Sequence, residues 1–102
     1  MIRNSVTKTP LVQSRFLSNH CGGEVYLKLE NAQVTNSFKI RGALNKLMHL
    51  TDEEKARGII AASSGNHAQA VAIGAEKLNL NAIVVVPEPT PPRGCRGPRR
   101  SR

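Results

Sequence analysis

Two patterns of apolar residues, strict alternation and helical spacing, predict short elements along most of the chain. Alternation over residues 24–30 predicts a strand. Thr9-Pro10-Leu11 predicts an extended segment before it, because the residue preceding a proline avoids helical backbone. Between them, Ser14 is expected to cap a short helix through Leu17, and Gly22-Gly23 are expected to break it.

The middle of the chain predicts two helices in succession. Either Asn36 or Ser37 is expected to cap a helix that runs to about Leu50. The residues from Thr51 to Glu54 have the spacing of a capping box and predict a second, shorter helix that ends at Gly58. The apolar stripe of the longer helix consists of Ile40, Ala43, Leu44, Leu47 and Met48.

The next segment predicts a strand, a helix and a second strand. The apolar runs 59–62 and 82–86 are expected to be buried strands, the second of them stopped by Pro87. The helix between them is expected to run from Asn66 to about Asn79. This order predicts an open, right-handed parallel βαβ unit and an α/β fold.

Length and charge limit the possible functions. The chain has 102 residues, enough for one small domain, and a net charge of +8. Five of its fifteen Lys and Arg residues lie in 91–102, so the remainder is only mildly basic. This tail has no periodicity and is expected to be disordered. Cys21 and Cys95 predict no disulfide framework, and we expect no membrane segment and a reducing cytoplasm.

The first candidate for chemistry is Lys39. It lies near the start of a predicted helix, where the helix dipole disfavours a cation. Burial there would favour the neutral amine that Schiff-base chemistry requires. A solvated lysine on an amphipathic helix is the alternative interpretation, and Lys39 alone does not decide between them.

The second candidate is the segment Ser63-Ser64-Gly65-Asn66-His67, which joins a predicted strand to a helix. Open α/β sheets bind ligands at the carboxyl ends of their strands, and the free N–H groups of a helix start attract anions. Gly65 allows a ligand to approach the backbone closely. The segment therefore predicts a carboxylate-binding loop, with an ordinary capped helix start as the alternative.

The remaining polar residues predict no second site. Glu30 is expected either to pair with Arg41 or to be solvated. No metal is expected, because metal-ligand spacing is lacking among His20, His49, His67, Cys21 and Cys95.

Together, the two candidate segments resemble one enzyme family. Residues 37–43, Ser-Phe-Lys-Ile-Arg-Gly-Ala, are similar to the cofactor-lysine motif of fold-type II pyridoxal-phosphate (PLP) enzymes, which have the tryptophan synthase beta-like fold. The Phe before the lysine and the Ile-Arg-Gly-Ala after it resemble threonine/serine dehydratases and serine racemases. The resemblance covers about residues 6–91 and includes Thr9-Pro10-Leu11, Lys28-Leu29-Glu30-Asn31, residues 63–69 and Val86-Pro87.

The resemblance implies a role for each matching residue. Lys39 would hold pyridoxal 5'-phosphate as a Schiff base and move the proton at the substrate α-carbon. Phe38 would pack beside the cofactor, and Asn66 would hydrogen-bond its phenolic oxygen. Ser64 would also serve as the second-face base in a racemase. The substrate carboxylate would be bound by Ser63, Ser64, Gly65 and His67.

The activity implied is that of a PLP-dependent threonine/serine ammonia-lyase, which yields a 2-oxo acid and ammonia. Isoleucine biosynthesis is the expected setting, and a homo-oligomer is expected for an intact parent. An amino-acid racemase of the same family is the alternative for the reaction. A small basic nucleic-acid-binding protein that uses the tail is a remote alternative.

Family members are longer than this sequence, so residues 1–91 are expected to begin two domains and complete neither. Lys39 would lie on the larger domain and the loop at 63–67 on the smaller. Residues 92–102 are expected to be a basic tail outside the family, and we hypothesise a frameshift near residue 91. Without the loop for the cofactor phosphate, the isolated chain is expected to fold poorly and to lack dehydratase activity, as a non-catalytic remnant would.

Overall fold

The computed structural model describes residues 2–88. Cys95 and the expected tail lie outside these residues, and the family boundary near residue 91 stays a prediction. The elements are β1 (Leu11–Gln13), α1 (Arg15–Cys21), β2 (Tyr26–Lys28), α2 (Lys39–Met48), α3 (Asp52–Arg57), β3 (Ile59–Ala62), α4 (Asn66–Lys77) and β4 (Ala82–Val85), with 3-10 turns at Ile2–Asn4 and Glu30–Ala32.

The first part of the chain forms a two-stranded antiparallel sheet. β1 pairs with β2, with Val12 opposite Leu27. Between the strands, the Ser14 hydroxyl accepts a hydrogen bond from the backbone of Leu17 at 3.2 Å and caps α1, as predicted. The helix runs further than expected and ends at Gly22, where φ is 70°. The second strand is shorter than the predicted 24–30.

The predicted βαβ unit is confirmed. β3 and β4 are parallel, and α4 connects them. The expectation that both strands are buried is wrong, since Ile60 is 74% and Ile83 62% exposed, and the two are paired in the register. Helix α4 packs against the pair, and no other element among residues 2–88 covers the face that carries these side chains. The same described residues contain no helix with the length and apolarity needed to cross a bilayer.

Helix α2 begins without the side-chain cap that the sequence predicts. Its N-cap position is Phe38, and no side chain bonds to the free N–H groups there. Asn36 lies in the left-handed region at φ 57°, and Ser37 is buried, with a hydroxyl that has no hydrogen-bond partner among residues 2–88. Neither residue therefore caps α2, which ends at Met48 rather than at Leu50.

The other helix ends follow local signals. The capping box at α3 is present, with Thr51 donating its backbone N–H to Glu54 at 2.8 Å and accepting the Glu54 N–H at 3.2 Å. Helix α4 ends with Asn79 in the left-handed region at φ 54°. The N–H of Leu80 donates back to the Ala75 carbonyl at 2.8 Å, which is the Schellman pattern.

The core lies where α2 packs against α4. Close approach of the helices depends on Gly74, because a Cβ there would lie 2.8 Å from Leu47 Cδ1. The buried apolar side chains are Ile40, Ala43, Leu44, Leu47, Ala68, Ala70, Val71 and Ala75.

Two alanine substitutions at glycine are expected to have opposite effects. Gly42→Ala should stabilise the fold by about 0.5–1 kcal/mol, since its Cβ meets nothing within 4 Å. Gly74→Ala should destabilise it by about 1–3 kcal/mol, because Leu47 must move. Urea unfolding of both variants measures the difference. If Gly74→Ala stabilises as much as Gly42→Ala, the helix contact is looser than the structure indicates.

Candidate active site

Lys39 is the first residue of α2 and projects away from the core. Its neighbour Ile40 is fully buried, whereas Lys39 itself is exposed. Of the two interpretations that the sequence leaves open for Lys39, the structure has the solvated lysine, because the buried stripe of α2 lies on another side of the helix. Lys39 Nζ stands 5.2 Å from the ring centroid of Phe38, whose ring is also exposed. An amine and an aromatic face are thus presented together.

The second candidate segment connects the carboxyl end of β3 to α4. The N–H of Ser63 donates to the Val85 carbonyl at 3.1 Å, which joins the segment to the end of β4. The hydroxyl of Ser63 accepts the N–H of Gly65 at 3.3 Å. Ser63 therefore closes the loop with both its backbone and its side chain.

The first turn of α4 is open to a bound anion. Gly65 occupies the N-cap position without a side-chain cap, and the turn holds no acidic residue. An added Cβ at Gly65 would meet no atom within 4 Å, and its φ of −126° demands no glycine. Packing among the described residues therefore does not require glycine here, and a ligand can approach the backbone.

Three further candidate side chains around this turn are available for contacts. Ser64, Asn66 and His67 are exposed and make no side-chain hydrogen bond within residues 2–88. Asn66 and His67 are the first two residues of α4, so their side chains lie beside the open N–H groups. A hydroxyl, an amide and an imidazole are therefore gathered at one helix start.

A cavity brings part of this segment close to the helix that carries Lys39. It has a volume of about 470 Å³ and lies between α2, α3, β3 and α4, with Gly42, Ala43 and His67 in its lining. Gly42 follows Lys39 by three residues on α2, whereas Ala43 belongs to the buried stripe of the helix. Lys39, Ser63, Ser64 and Asn66 do not line the cavity. The cavity thus brings His67, but not the rest of the segment, close to α2, and Lys39 lies outside it.

Glu30 pairs with Arg41, which settles the alternatives that the sequence left open. Arg41 donates from Nε to Oε2 at 2.8 Å and from Nη2 to Oε1 at 2.9 Å, a bidentate geometry. These bonds, and a further one from the Thr9 hydroxyl, lower the pKa of Glu30 to about 2. The carboxylate also raises the pKa of Arg41.

Lowering the pH is expected to weaken the fold through Glu30. Its pKa is lower in the folded chain than its ordinary 4.5, so its stabilisation is complete above pH 4.5 and is lost as the pH falls towards 2. Urea unfolding across this range measures the loss, which Glu30→Gln should reduce. Glu54→Gln is the comparison variant, because bonds to Thr51 lower the pKa of Glu54 independently. It should remove only its own part of the pH dependence and leave the part that comes from Glu30. A pH dependence that Glu30→Gln leaves unchanged contradicts this assignment.

Sequence reasoning missed a buried polar group before α2. Gln33 is buried, accepts the Thr7 N–H at 2.7 Å and donates to the Thr7 carbonyl at 2.9 Å. Thr9 is also buried, and its carbonyl accepts from Lys28. The polar composition of 31–36 predicts a loop, and no pattern in it distinguishes the buried Gln33 from its exposed neighbours.

The exposed groups fit the cofactor that the resemblance implies. Its aldehyde needs an accessible amine, its ring needs a flat apolar neighbour, and a substrate carboxylate needs free N–H donors. Lys39, Phe38 and the uncapped start of α4 present these groups. Residues 2–88 hold no group of three or more His, Cys, Asp or Glu side chains arranged for a metal ion.

Comparisons with known proteins agree with these features. The family model described as "Pyridoxal-phosphate dependent enzyme" matches residues 2–100. The L-threonine dehydratase catabolic TdcB of Staphylococcus aureus (strain N315) is 56% identical over 91 residues, which cover 88% of this chain and 26% of the relative. The chain thus spans about a quarter of the length of the curated relatives that it matches.

Solved structures show the same fold. A serine racemase from Dictyostelium discoideum superposes with a TM-score of 0.82 at 40% identity, over 88% of this chain and 30% of that chain. The processed form of threonine deaminase isoform 2 from Solanum lycopersicum gives a TM-score of 0.75 at 43% identity, over 84% of this chain and 24% of that chain. The predicted α/β class and the fold-type II architecture are therefore confirmed, and this chain belongs to the pyridoxal-phosphate-dependent enzyme family.

Proposed function

We propose that this chain carries the lysine-bearing part of an ammonia-lyase site that acts on threonine or serine. The observation that carries the proposal is the exposed amine of Lys39 beside the exposed ring of Phe38. The 56% identity to a threonine dehydratase supports the choice of substrate. The complete reaction belongs to the whole protein. The matched relatives are about four times as long as the segment that aligns with this chain.

Pyridoxal phosphate, when bound, supplies an electron sink for the substrate α-carbon. Lys39 is proposed to attach the cofactor through Nζ and then to move the proton at the α-carbon with the same nitrogen. Phe38 would flank the ring, and the Asn66 amide would donate a hydrogen bond to the cofactor's phenolic oxygen. The exposure of Phe38 and Asn66 supports these roles, since neither side chain is occupied in the core.

The loop after β3 is proposed to hold the substrate carboxylate. The open N–H groups at the start of α4 supply donors, and Ser63, Ser64, Gly65 and His67 form the surrounding surface. With the carboxylate held, Lys39 Nζ would take the α-proton and the β-hydroxyl would then be eliminated, so that the substrate loses the elements of water in sum. The enamine product takes up water and releases ammonia, which leaves a 2-oxo acid.

An amino-acid racemase is the second candidate, and Ser64 is the residue that favours it. Its hydroxyl is exposed and makes no hydrogen bond within the described residues, as a base on the second face of a substrate requires. The similarity to a serine racemase supports this candidate. Product analysis of the whole protein with L-serine separates D-serine from a 2-oxo acid.

The setting of the reaction is also a proposal. The relative from Staphylococcus aureus is named a catabolic enzyme, which favours amino-acid breakdown over isoleucine biosynthesis. A reducing cytoplasm is proposed because the two cysteines of the sequence predict no disulfide framework. A homo-oligomer of an intact parent is proposed from the family resemblance. The nucleic-acid alternative depends on the tail, which lies outside the described residues, and is not proposed.

Covalent trapping of the cofactor tests the role of Lys39. The purified chain is incubated with pyridoxal phosphate, reduced with borohydride and digested, and the modified lysine is identified by mass spectrometry. The adduct is expected mainly at Lys39, because this amine adjoins Phe38. Lys39→Arg should abolish that adduct, and Lys46→Arg, which lies on the same helix, should retain it.

Two results would contradict these proposals. Equal modification of Lys39 and the other exposed lysines would remove the support for a cofactor site. The isolated chain is also proposed to lack dehydratase activity, so formation of 2-oxobutanoate from threonine by the purified 102-residue chain would overturn that part. The first result concerns the site, and the second concerns only how much of the protein the reaction requires.

A further inference from the structure

The pair formed by Glu30 and Arg41 is the best-connected polar contact near Lys39. The Glu30 side chain is only 15% exposed and that of Arg41 36%. The carboxylate also accepts from the Thr9 hydroxyl and, at 3.3 Å, from Gln33 Nε2. Arg41 Nη2 reaches the Thr7 carbonyl at 3.4 Å. The pair therefore ties α2 to both the N-terminal segment and the preceding loop.

The start of α2 lacks the side-chain cap that α1 and α3 have. Its N-cap, Phe38, offers no side-chain hydrogen bond, and its first turn contains no acidic residue. Helix α3, by contrast, begins with a complete capping box. The orientation of the first turn of α2 must therefore come from contacts with distant parts of the chain.

Two of the three residues in this first turn supply such contacts. Successive residues of a helix point about 100° apart. Ile40 is fully buried in the core, and Arg41 is bound to Glu30 on a second side. Rotation of the turn about its axis would break one contact or the other. Lys39 is left to project from the third side.

We infer that Glu30 and Arg41 are positioning residues that fix the direction in which Lys39 presents its amine, an inference that rests on the proposed function. They are inferred to act through α2, because the hydrogen-bond partners of both side chains within residues 2–88 are protein groups. The bidentate geometry is the essential feature, since a single charge contact would allow the helix to turn about it. A lysine at position 41 keeps the charge but cannot reproduce the paired bonds.

Hydrogen exchange tests the inference without the cofactor. Amide exchange is measured by mass spectrometry in the full chain, in Arg41→Lys and in Glu30→Gln, with Arg15→Lys on exposed α1 as the matched control. Two amides within residues 36–41 are hydrogen-bonded, those of Asn36 (to Gln33) and Arg41 (to Phe38). Their exchange should accelerate about tenfold in the first two variants, which corresponds to the loss of roughly one charge-assisted hydrogen bond. Exchange within α4 should not change. Unchanged exchange at 36–41, or equal acceleration throughout α4, would overturn the inference.

A second measurement adds the cofactor and uses an internal reference. After trapping with pyridoxal phosphate and borohydride, the ratio of adduct on Lys39 to adduct on Lys46 is compared among the same proteins. The ratio should fall several-fold in Arg41→Lys and Glu30→Gln, and the double variant should lose no more than either single one. Circular dichroism first establishes that the variants are folded. In folded chains, a general loss of stability would leave the ratio of the two adducts unchanged. A ratio that both single variants leave unchanged overturns the inference.

The outcomes separate the two proposals. If the unaltered chain shows no preference for Lys39, the proposed function fails, and hydrogen exchange alone decides whether Glu30 and Arg41 fix the first turn of α2. If the unaltered chain prefers Lys39 and the variants keep both its preference and its exchange, the positioning role fails and the proposed function stands.

Discussion

Replacing Leu44 with alanine is expected to remove much of the stability of this chain. Leu44 is fully buried, and its Cδ2 lies 3.6 Å from the position of a Cβ at Gly74, so it occupies the contact between α2 and α4. Such a truncation costs about 2–5 kcal/mol through lost burial and the cavity that remains. A domain of this size has a small total stability, so a large part of the population should unfold.

Ile60→Ala is the matched control for Leu44→Ala. Ile60 is as large and as apolar as Leu44 but is 74% exposed, so its truncation should change the free energy of unfolding by less than about 0.5 kcal/mol. Urea unfolding followed by circular dichroism gives both values. Similar losses for the two variants would mean that the face of β3 is covered in solution and that the core is not confined to the contact between α2 and α4.

The elements that the sequence predicts well are those with local causes. Ser14, Thr51 and Gly58 act on groups within a few residues of themselves, and each caps or ends a helix as expected. The order of strand, helix and strand also predicts the parallel pair correctly. In each case the signal and the structure it specifies lie within a short stretch of chain.

Burial was harder to predict because it depends on partners that are distant along the chain. The apolar runs of β3 and β4 indicate strands, but their composition does not say whether one face or both are covered. Gln33 is buried through bonds to Thr7, 26 positions away, and nothing in a polar loop indicates such a contact. The position of Asn36 suggests a helix cap, but its backbone lies in the left-handed region and Asn36 does not cap α2.

In the candidate site, too, the sequence predicts the local features but not the contacts between distant parts of the chain. The sequence identifies Lys39 and the segment 63–67 because each carries a recognisable motif, and the structure has both at helix starts. How the two are related in space depends on the packing of α2 against α4. Periodicity predicts the apolar faces of these helices but not that they face each other. For the same reason, the sequence predicts the contact of Glu30 with Arg41 only as one of two possibilities.

Gly65→Ala is expected to separate ligand binding from stability. The new methyl group meets no atom of the described residues within 4 Å. The free energy of unfolding should therefore change by less than about 0.5 kcal/mol. The methyl group would, however, occupy the space through which a carboxylate approaches the N–H groups of α4. Loss of one charge-assisted hydrogen bond corresponds to a roughly tenfold or greater increase in Kd.

Isothermal titration of L-threonine into the chain measures this effect, and urea unfolding measures stability in parallel. Gly23→Ala is the control, since a Cβ there also meets nothing within 4 Å and the residue follows α1, away from the loop after β3. It should change neither quantity. If Gly65→Ala binds threonine as tightly as the unaltered chain, the carboxylate does not approach this backbone, and the start of α4 is open for a reason other than substrate binding. A weaker affinity at unchanged stability means that glycine is required at position 65 by the ligand and not by the fold.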